Sequence, residues 1–243
     1  MGSFELISFA KAEDLAKVAA REWLKEVQQA RGKGGAYCVA LSGGRIAGRF
    51  FSDVATMAKA QGQTFDSIQF FWSDERCVPP ADPESNFHLA QERLFLPLAV
   101  PASQVHRVHG EEPPEIGAAE ADAQLRQLAP WGPGAQPVLD LVFLGLGEEG
   151  HVASLFPGEP EALMASTAVY RPVVAPKPPP RRITLGYPSI AAARQVWVLA
   201  SGPGKAVALS TSLNPDGRTP LARVLQSRPH TRIFTDIPDS DQS

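Results

Sequence analysis

Apolar residues recur along this chain in short blocks whose spacing alternates between the periods of helix and strand. From Asp14 onward, Leu15, Val18, Ala19, Trp23 and Val27 form the stripe of an amphipathic first helix, which Gly32, Gly34 and Gly35 end. Ala36-Tyr37-Cys38-Val39-Ala40-Leu41 is then an unbroken apolar run, Ser42-Gly43-Gly44 a glycine turn, and residues 46–60 a second helical pattern. The unit of strand, turn and helix recurs with Ile68-Gln69-Phe70-Phe71-Trp72 as strand, a polar loop after it, and a helix over residues 86–96. A third copy uses residues 138–144 as strand and Gly145-Leu146-Gly147 as turn, and residues 196–200 form a further strand. Continuous apolar strands separated by helices predict an α/β fold, a mainly parallel sheet covered on both faces.

Two connecting regions read differently. The alanine-rich helix over residues 115–128 lies between prolines and is expected as a surface excursion. Pro176-Lys177-Pro178-Pro179-Pro180-Arg181-Arg182 is expected as a stiff extended lead into Ile183-Thr184-Leu185. The 23 prolines are about twice the usual share and concentrate in such connectors, which argues for fixed loops. Residues 236–243 are expected to fray.

Composition narrows the class. Hydrophobic residues at 44% and charged residues at 20% are ordinary globular usage and exclude a disordered or fibrous chain. With 23 basic against 26 acidic residues, a net charge of −3 and no long basic run, neither a nucleic-acid nor an anionic-membrane partner is expected. No stretch approaches the roughly 18 apolar residues of a membrane helix and no leader pattern opens the chain, so a cytoplasmic location is expected. Cys38 and Cys77 have no metal-ligand spacing and read as buried thiols of a reducing compartment.

Ligands in parallel sheets bind at the carboxyl ends of the strands, and three polar clusters sit just past such ends. Ser42-Gly43-Gly44 at a strand-to-helix junction suits a phosphate, with Arg45 as a charged donor beside it. Asp74-Glu75-Arg76 offers an arginine fork with neighbouring acids to orient it. Glu148-Glu149-Gly150-His151 places an imidazole on a glycine-rich loop, where either glutamate could hold it near neutrality as a general base. Lys205, near a helix start in Gly202-Pro203-Gly204-Lys205, adds a point charge for a phosphate. His88, His106, His109 and His230 lack such settings and read as structural. No metal-ligand set occurs, so the sequence does not require a metal, and the absence of a Gly-x-Ser-x-Gly elbow counts against a serine hydrolase.

Taken together, Leu41-Ser42-Gly43-Gly44, Asp74-Glu75-Arg76-Cys77-Val78-Pro79, Glu84-Ser85-Asn86, the run from Gly145 through His151-Val152-Ala153-Ser154-Leu155-Phe156-Pro157, Lys177-Pro178-Pro179-Pro180-Arg181-Arg182 and Gly204-Lys205-Ala206 resemble the 6-phosphogluconolactonases of the glucosamine-6-phosphate isomerase/6-phosphogluconolactonase family. The resemblance covers nearly the whole chain in order and implies one domain over residues 1–243 with a modified doubly wound sheet. It implies hydrolysis of 6-phospho-D-glucono-1,5-lactone, the second step of the oxidative pentose phosphate pathway, without a cofactor. By the same resemblance, His151 looks like the base that activates water, and Asp74 like the group orienting Arg76 and substrate. Ser42, Gly43, Gly44, Arg45, Arg76, Arg182 and Lys205 look like binders of phosphate and polar substrate oxygens. Arg181 competes with Arg182 for that role because adjacent strand residues face opposite sides. The oxyanion stabiliser is left open between an arginine and a backbone N–H. Arg45 replaces the family's usual small hydroxyl residue, and Glu149 its usual aspartate. Related aminosugar-phosphate deaminases carry a catalytic glutamate before proline, where this chain has Phe156-Pro157. The partner implied is a small phosphosugar lactone, with the chain a monomer or weak homodimer.

Overall fold

In the computed structural model, residues 2–31 and 35–238 are described. Six strands, β1 (Ser3–Ser8), β2 (Tyr37–Leu41), β3 (Ile68–Trp72), β5 (Leu141–Gly145), β8 (Gln195–Ala200) and β9 (His230–Thr235), pair in the order β1-β9-β8-β5-β2-β3. Every pairing in this sheet is parallel. A second, antiparallel sheet joins β4 (Asp74–Arg76), β7 (Arg181–Leu185) and β6 (Tyr170–Val174) in that order. The helices are α1 (Ala12–Arg31), α2 (Arg45–Gln61), α3 (Asn86–Ala90), α4 (Leu96–Leu98), α5 (Pro114–Leu128), α6 (Glu161–Met164), α7 (Tyr187–Ala192), α8 (Ala206–Leu213) and α9 (Pro220–Ser227).

Strands apolar on both faces must be covered on both, and β2, paired on both sides by β5 and β3, is buried at every position. The apolar stripe of α1 drives Trp23 into the core, where its ring lies 5.6 Å from Phe50 of α2 and 5.4 Å from Phe143 of β5. The contact chain continues through Trp197 to Phe234, at 5.8 and 5.1 Å. Aromatic burial thus ties two helices to three strands, and truncating one such ring typically costs about 3–5 kcal/mol.

β2 lies between β3, which follows it through α2, and β5, which follows much later. The chain therefore leaves β2 in one direction along the sheet and returns on its other side. Right-handed crossovers then place the flanking helices on opposite faces, and the loops after β2 and β5 part at the carboxyl ends to leave a crevice.

Several expectations are corrected. Asp74-Glu75-Arg76 is strand β4, joined to the main sheet by Ser73 N–H donating to Leu41 O at 2.7 Å and Leu185 N–H donating to Ser73 O at 2.8 Å. Residues 86–96 are helical as expected, but not uniformly α: a π-helical turn over Gln91–Phe95 lies between α3 and α4 without a break in the helical backbone. The helix over 115–128 is no excursion, since α5 packs on β6 and β7 through Gly117, Ala118, Ala121 and Leu125. The proline segment connects the β6–β7 hairpin rather than running extended, with Ala175 N–H donating to Pro180 O at 2.6 Å. Asp236 is fixed by hydrogen bonds and Ile237 is buried; residues 239–243 of the expected frayed tail, like Gly32 and Gly34, lie outside the described residues. Cys38 is buried and Cys77 only half-buried; burial pushes both thiols up, to about 12 and about 11. No helix among the described residues is long and apolar enough to cross a membrane.

Candidate active site

The crevice opens into a cavity of 720 Å³ that brings together Ser42, Gly43, Gly44, Arg45, Asp74, Arg76, His151, Arg182 and Lys205 from the ends of β2, β5 and β8 and from the β4–β7 wall. Helix α2 begins at Gly44 without a side-chain cap, and its first hydrogen bond runs from Gly48 N–H to Gly44 O. The N–H groups of Arg45, Ile46 and Ala47 are thereby left for an anion, with the positive end of the helix dipole behind them. Lys205 stands at the N-cap of α8.

His151 is placed by the turn after β5. Gly147 N–H donates to His151 O at 2.9 Å, and a Cβ on Gly147 would come within 1.9 Å of the imidazole, so only glycine lets the loop fold back over the ring. The other face lies 4.8 Å from Phe156, which Arg182 and Lys177 also approach, at 5.6 and 5.9 Å from its ring. Glu149 rather than Glu148 partners the histidine, its Oε2 3.1 Å from Nδ1 and its Oε1 2.8 Å from Lys177 Nζ. The carboxylate sits off the Nδ1 hydrogen-bond direction, so it acts on the ring as a nearby negative charge that favours protonation rather than as a hydrogen-bond partner. Nδ1 is sealed from solvent; Nε2, without a hydrogen-bond partner among the described residues, is the nitrogen open to the cavity.

The electrostatics follow from this packing. Burial pushes the His151 pKa below its ordinary 6.5, with Glu149 opposing and Lys177 adding to the depression. The ring is therefore predominantly neutral at pH 7, below rather than at the neutrality expected for it. Burial would raise Glu149, but the hydrogen bonds from Lys177 and its own backbone N–H, together with His151, hold it down to about 2. Burial likewise lowers Lys205 and Arg182, and the nearby cations Arg45 and Arg76, respectively, lower them further. Arg76 and Arg182 face one another in the β4–β7 register, a like-charge pairing that is unfavourable unless an anion sits between or beside them.

Asp74 is buried with its Oδ2 accepting from Ser154 Oγ at 2.7 Å, while Asn86 Nδ2 donates to its backbone oxygen at 2.9 Å. The Arg76 guanidinium is held instead by Glu84 O, at 2.6 Å, so Asp74 does not orient it as the sequence reading expected. Of the two adjacent arginines at the start of β7, Arg182 is buried and lines the cavity, whereas Arg181 is exposed and does not. Cavity residues not singled out from sequence are Arg49, Asn86, Lys177 and Asp236, while Glu148 lines the cavity without partnering the histidine; Asp236 accepts from Ser201 Oγ and Gly202 N–H at 3.0 and 2.9 Å. Asn86 and Lys177 did stand inside the quoted motifs, but nothing local in them indicated which cavity they reach. The remaining histidines fill structural contacts, His106 with Gln69 and His109 with Glu120 among them. No cluster of three or more potential His, Cys, Asp or Glu metal ligands forms among the described residues.

In sum, six cations (Arg45, Arg49, Arg76, Lys177, Arg182 and Lys205) face three carboxylates (Asp74, Glu148 and Asp236) around a neutral imidazole. Comparison with known proteins gives the chain its relatives. The 6-phosphogluconolactonase of Mycobacterium tuberculosis is 39% identical over 160 residues, 64% of this chain and 65% of that protein. The 6-phosphogluconolactonase of Streptomyces coelicolor is 33% identical over 220 residues, 88% of this chain and 84% of its own. The solved 6-phosphogluconolactonase of Trypanosoma brucei superposes with a TM-score of 0.82 at 25% identity, covering 97% of this chain and 96% of that one. The family model for glucosamine-6-phosphate isomerases/6-phosphogluconolactonase matches residues 10–233, and the chain belongs to that family.

Proposed function

We propose that this cavity hydrolyses 6-phospho-D-glucono-1,5-lactone to 6-phospho-D-gluconate, the second step of the oxidative pentose phosphate pathway. His151 Nε2 takes a proton from water as the water oxygen bonds to the lactone carbonyl carbon, forming a tetrahedral oxyanion. Collapse of that intermediate breaks the bond to the ring oxygen, which leaves as the C5 hydroxyl with the proton returned from His151. A lactone is an activated ester, so a positioned water, one base and an anchor for the remote phosphate suffice, without a covalent intermediate. The start of α2, with Ser42, Gly43, Gly44, Arg45 and Lys205, receives the phosphate. Arg76 and Arg182, on the wall beside His151, take the polar oxygens nearer the reacting carbonyl, and Asp74 fixes that wall through Ser154 and Asn86.

The observation that carries this reading is a half-buried imidazole, its pKa lowered by desolvation, opening onto a cation-lined cavity in a chain of net charge −3. Phe156 packs on that ring at the position where the related deaminases place a catalytic carboxylate, which speaks against aminosugar ring opening. The same reading makes the protein a cytoplasmic enzyme, a monomer or weak homodimer, without nucleic-acid or membrane partners. A coupled assay given freshly made lactone and, separately, glucosamine 6-phosphate tests it. Turnover of the lactone alone is expected, and release of ammonia from the aminosugar without lactone turnover would overturn it.

A further inference from the structure

We infer that Glu75, which does not itself line the cavity, is the positioning residue of its anion-binding wall. Its carboxylate clamps the start of α3 against β4, so that Asn86 holds Asp74 on one side and the 42–44 loop on the other. The inference rests on the reading of this cavity as a phosphosugar-lactone site.

Along β4 the side chains alternate, with Asp74 and Arg76 reaching the cavity and Glu75 pointing away from it. Glu75 is 2% exposed, yet both carboxylate oxygens are fully engaged. Oε1 accepts from the backbone N–H groups of Arg76 and Asn86 at 2.7 and 2.8 Å, and Oε2 from Phe87 N–H at 2.7 Å and Ser85 Oγ at 3.1 Å. One side chain thereby fixes the backbone of an anchoring arginine and the first turn of the next helix. Asn86 passes the constraint on: its Nδ2 donates to Asp74 O, and its Oδ1 sits so close to Gly43 that a Cβ there would lie 1.8 Å away. A shift at the start of α3 consequently moves the 42–44 loop, Asp74 and Arg76 relative to one another. Burial pushes Glu75 up to about 7 against the lowering by its three backbone donors, with the charge of Asp74 adding to the rise. The four donors that offset this desolvation are the same groups whose positions the carboxylate fixes.

Glu75→Gln keeps the shape and turns an acceptor into a donor facing backbone N–H groups. We expect KM for the lactone and Kd for 6-phosphogluconate, measured by calorimetry, to rise together by about 10-fold or more, with kcat changing less than about threefold. Asn86→Ala, which leaves Glu75 in place and removes the link, is expected to do the same. Val27→Ala, a destabilising change in the distant α1 core, is expected to lower Tm and leave Kd within about threefold. An unchanged Kd in Glu75→Gln overturns the inference. If that variant does not fold, an unchanged Kd in Asn86→Ala overturns it instead, as does a Kd in Val27→Ala raised as much as in Asn86→Ala. A wild-type protein that binds 6-phosphogluconate but does not hydrolyse the lactone refutes the proposed activity alone, since the Kd comparisons still decide the role of Glu75. A wild type that does not bind 6-phosphogluconate ends both.

Discussion

At His151, burial and charge pull in opposite directions. Desolvation favours the neutral ring a base needs, while Glu149 beside Nδ1 favours the imidazolium that forms as the proton is taken. Because the folded pKa lies below 6.5, activity is present above it and falls as pH drops through it. Glu149→Gln removes the upward pull and leaves the charge of Lys177 uncompensated, so the acid limb of the kcat profile moves to lower pH. A limb moving to higher pH would contradict this electrostatic account. The arginines yield a paired prediction: Arg182→Ala raises KM by about 10-fold or more, and Arg181→Ala changes it less than about twofold, measured side by side on the lactone. The residue types of this site were legible in sequence as polar clusters past apolar strands. Which of Arg181 and Arg182, or of Glu148 and Glu149, faces the imidazole was not, because that depends on strand register and loop path.

Between residue and fold lie the strand–turn–helix units. β2, β3, β5 and β8 were readable because strands buried on both faces are continuous apolar runs. β1 carries no apolar run because it is an edge strand with mostly exposed side chains, and β9 is masked by its polar start at His230, Thr231 and Arg232. β4 is three charged residues whose strand character comes entirely from pairing with β7, more than a hundred positions away, a tertiary effect local propensity does not contain. The turn after β5 carries the element-scale prediction. Gly147→Ala drives a methyl group into the His151 ring, which must move; kcat should drop by about 10²-fold with little change in far-ultraviolet circular dichroism. A variant with wild-type kcat would show that the ring position is not set by this turn.

Over the whole molecule, the topology turns scattered residues into one site. Reversal of strand order around β2 opens the crevice, and the small antiparallel sheet closes one side of it with Asp74, Arg76 and Arg182. Excess cationic charge gathers there although the chain as a whole is acidic, a distribution that draws a doubly charged phosphate toward the crevice. No local pattern announced Lys177 or Asp236 as parts of that wall, since they arrive through a hairpin turn and the segment after the last strand. What the architecture must accomplish is to present water and a lactone carbonyl to one neutral imidazole. The most direct test is kcat of His151→Ala on fresh 6-phosphogluconolactone, alongside its affinity for 6-phosphogluconate. A loss of at least about 10²-fold in kcat with affinity largely kept is the predicted result, and turnover at the wild-type rate would contradict it.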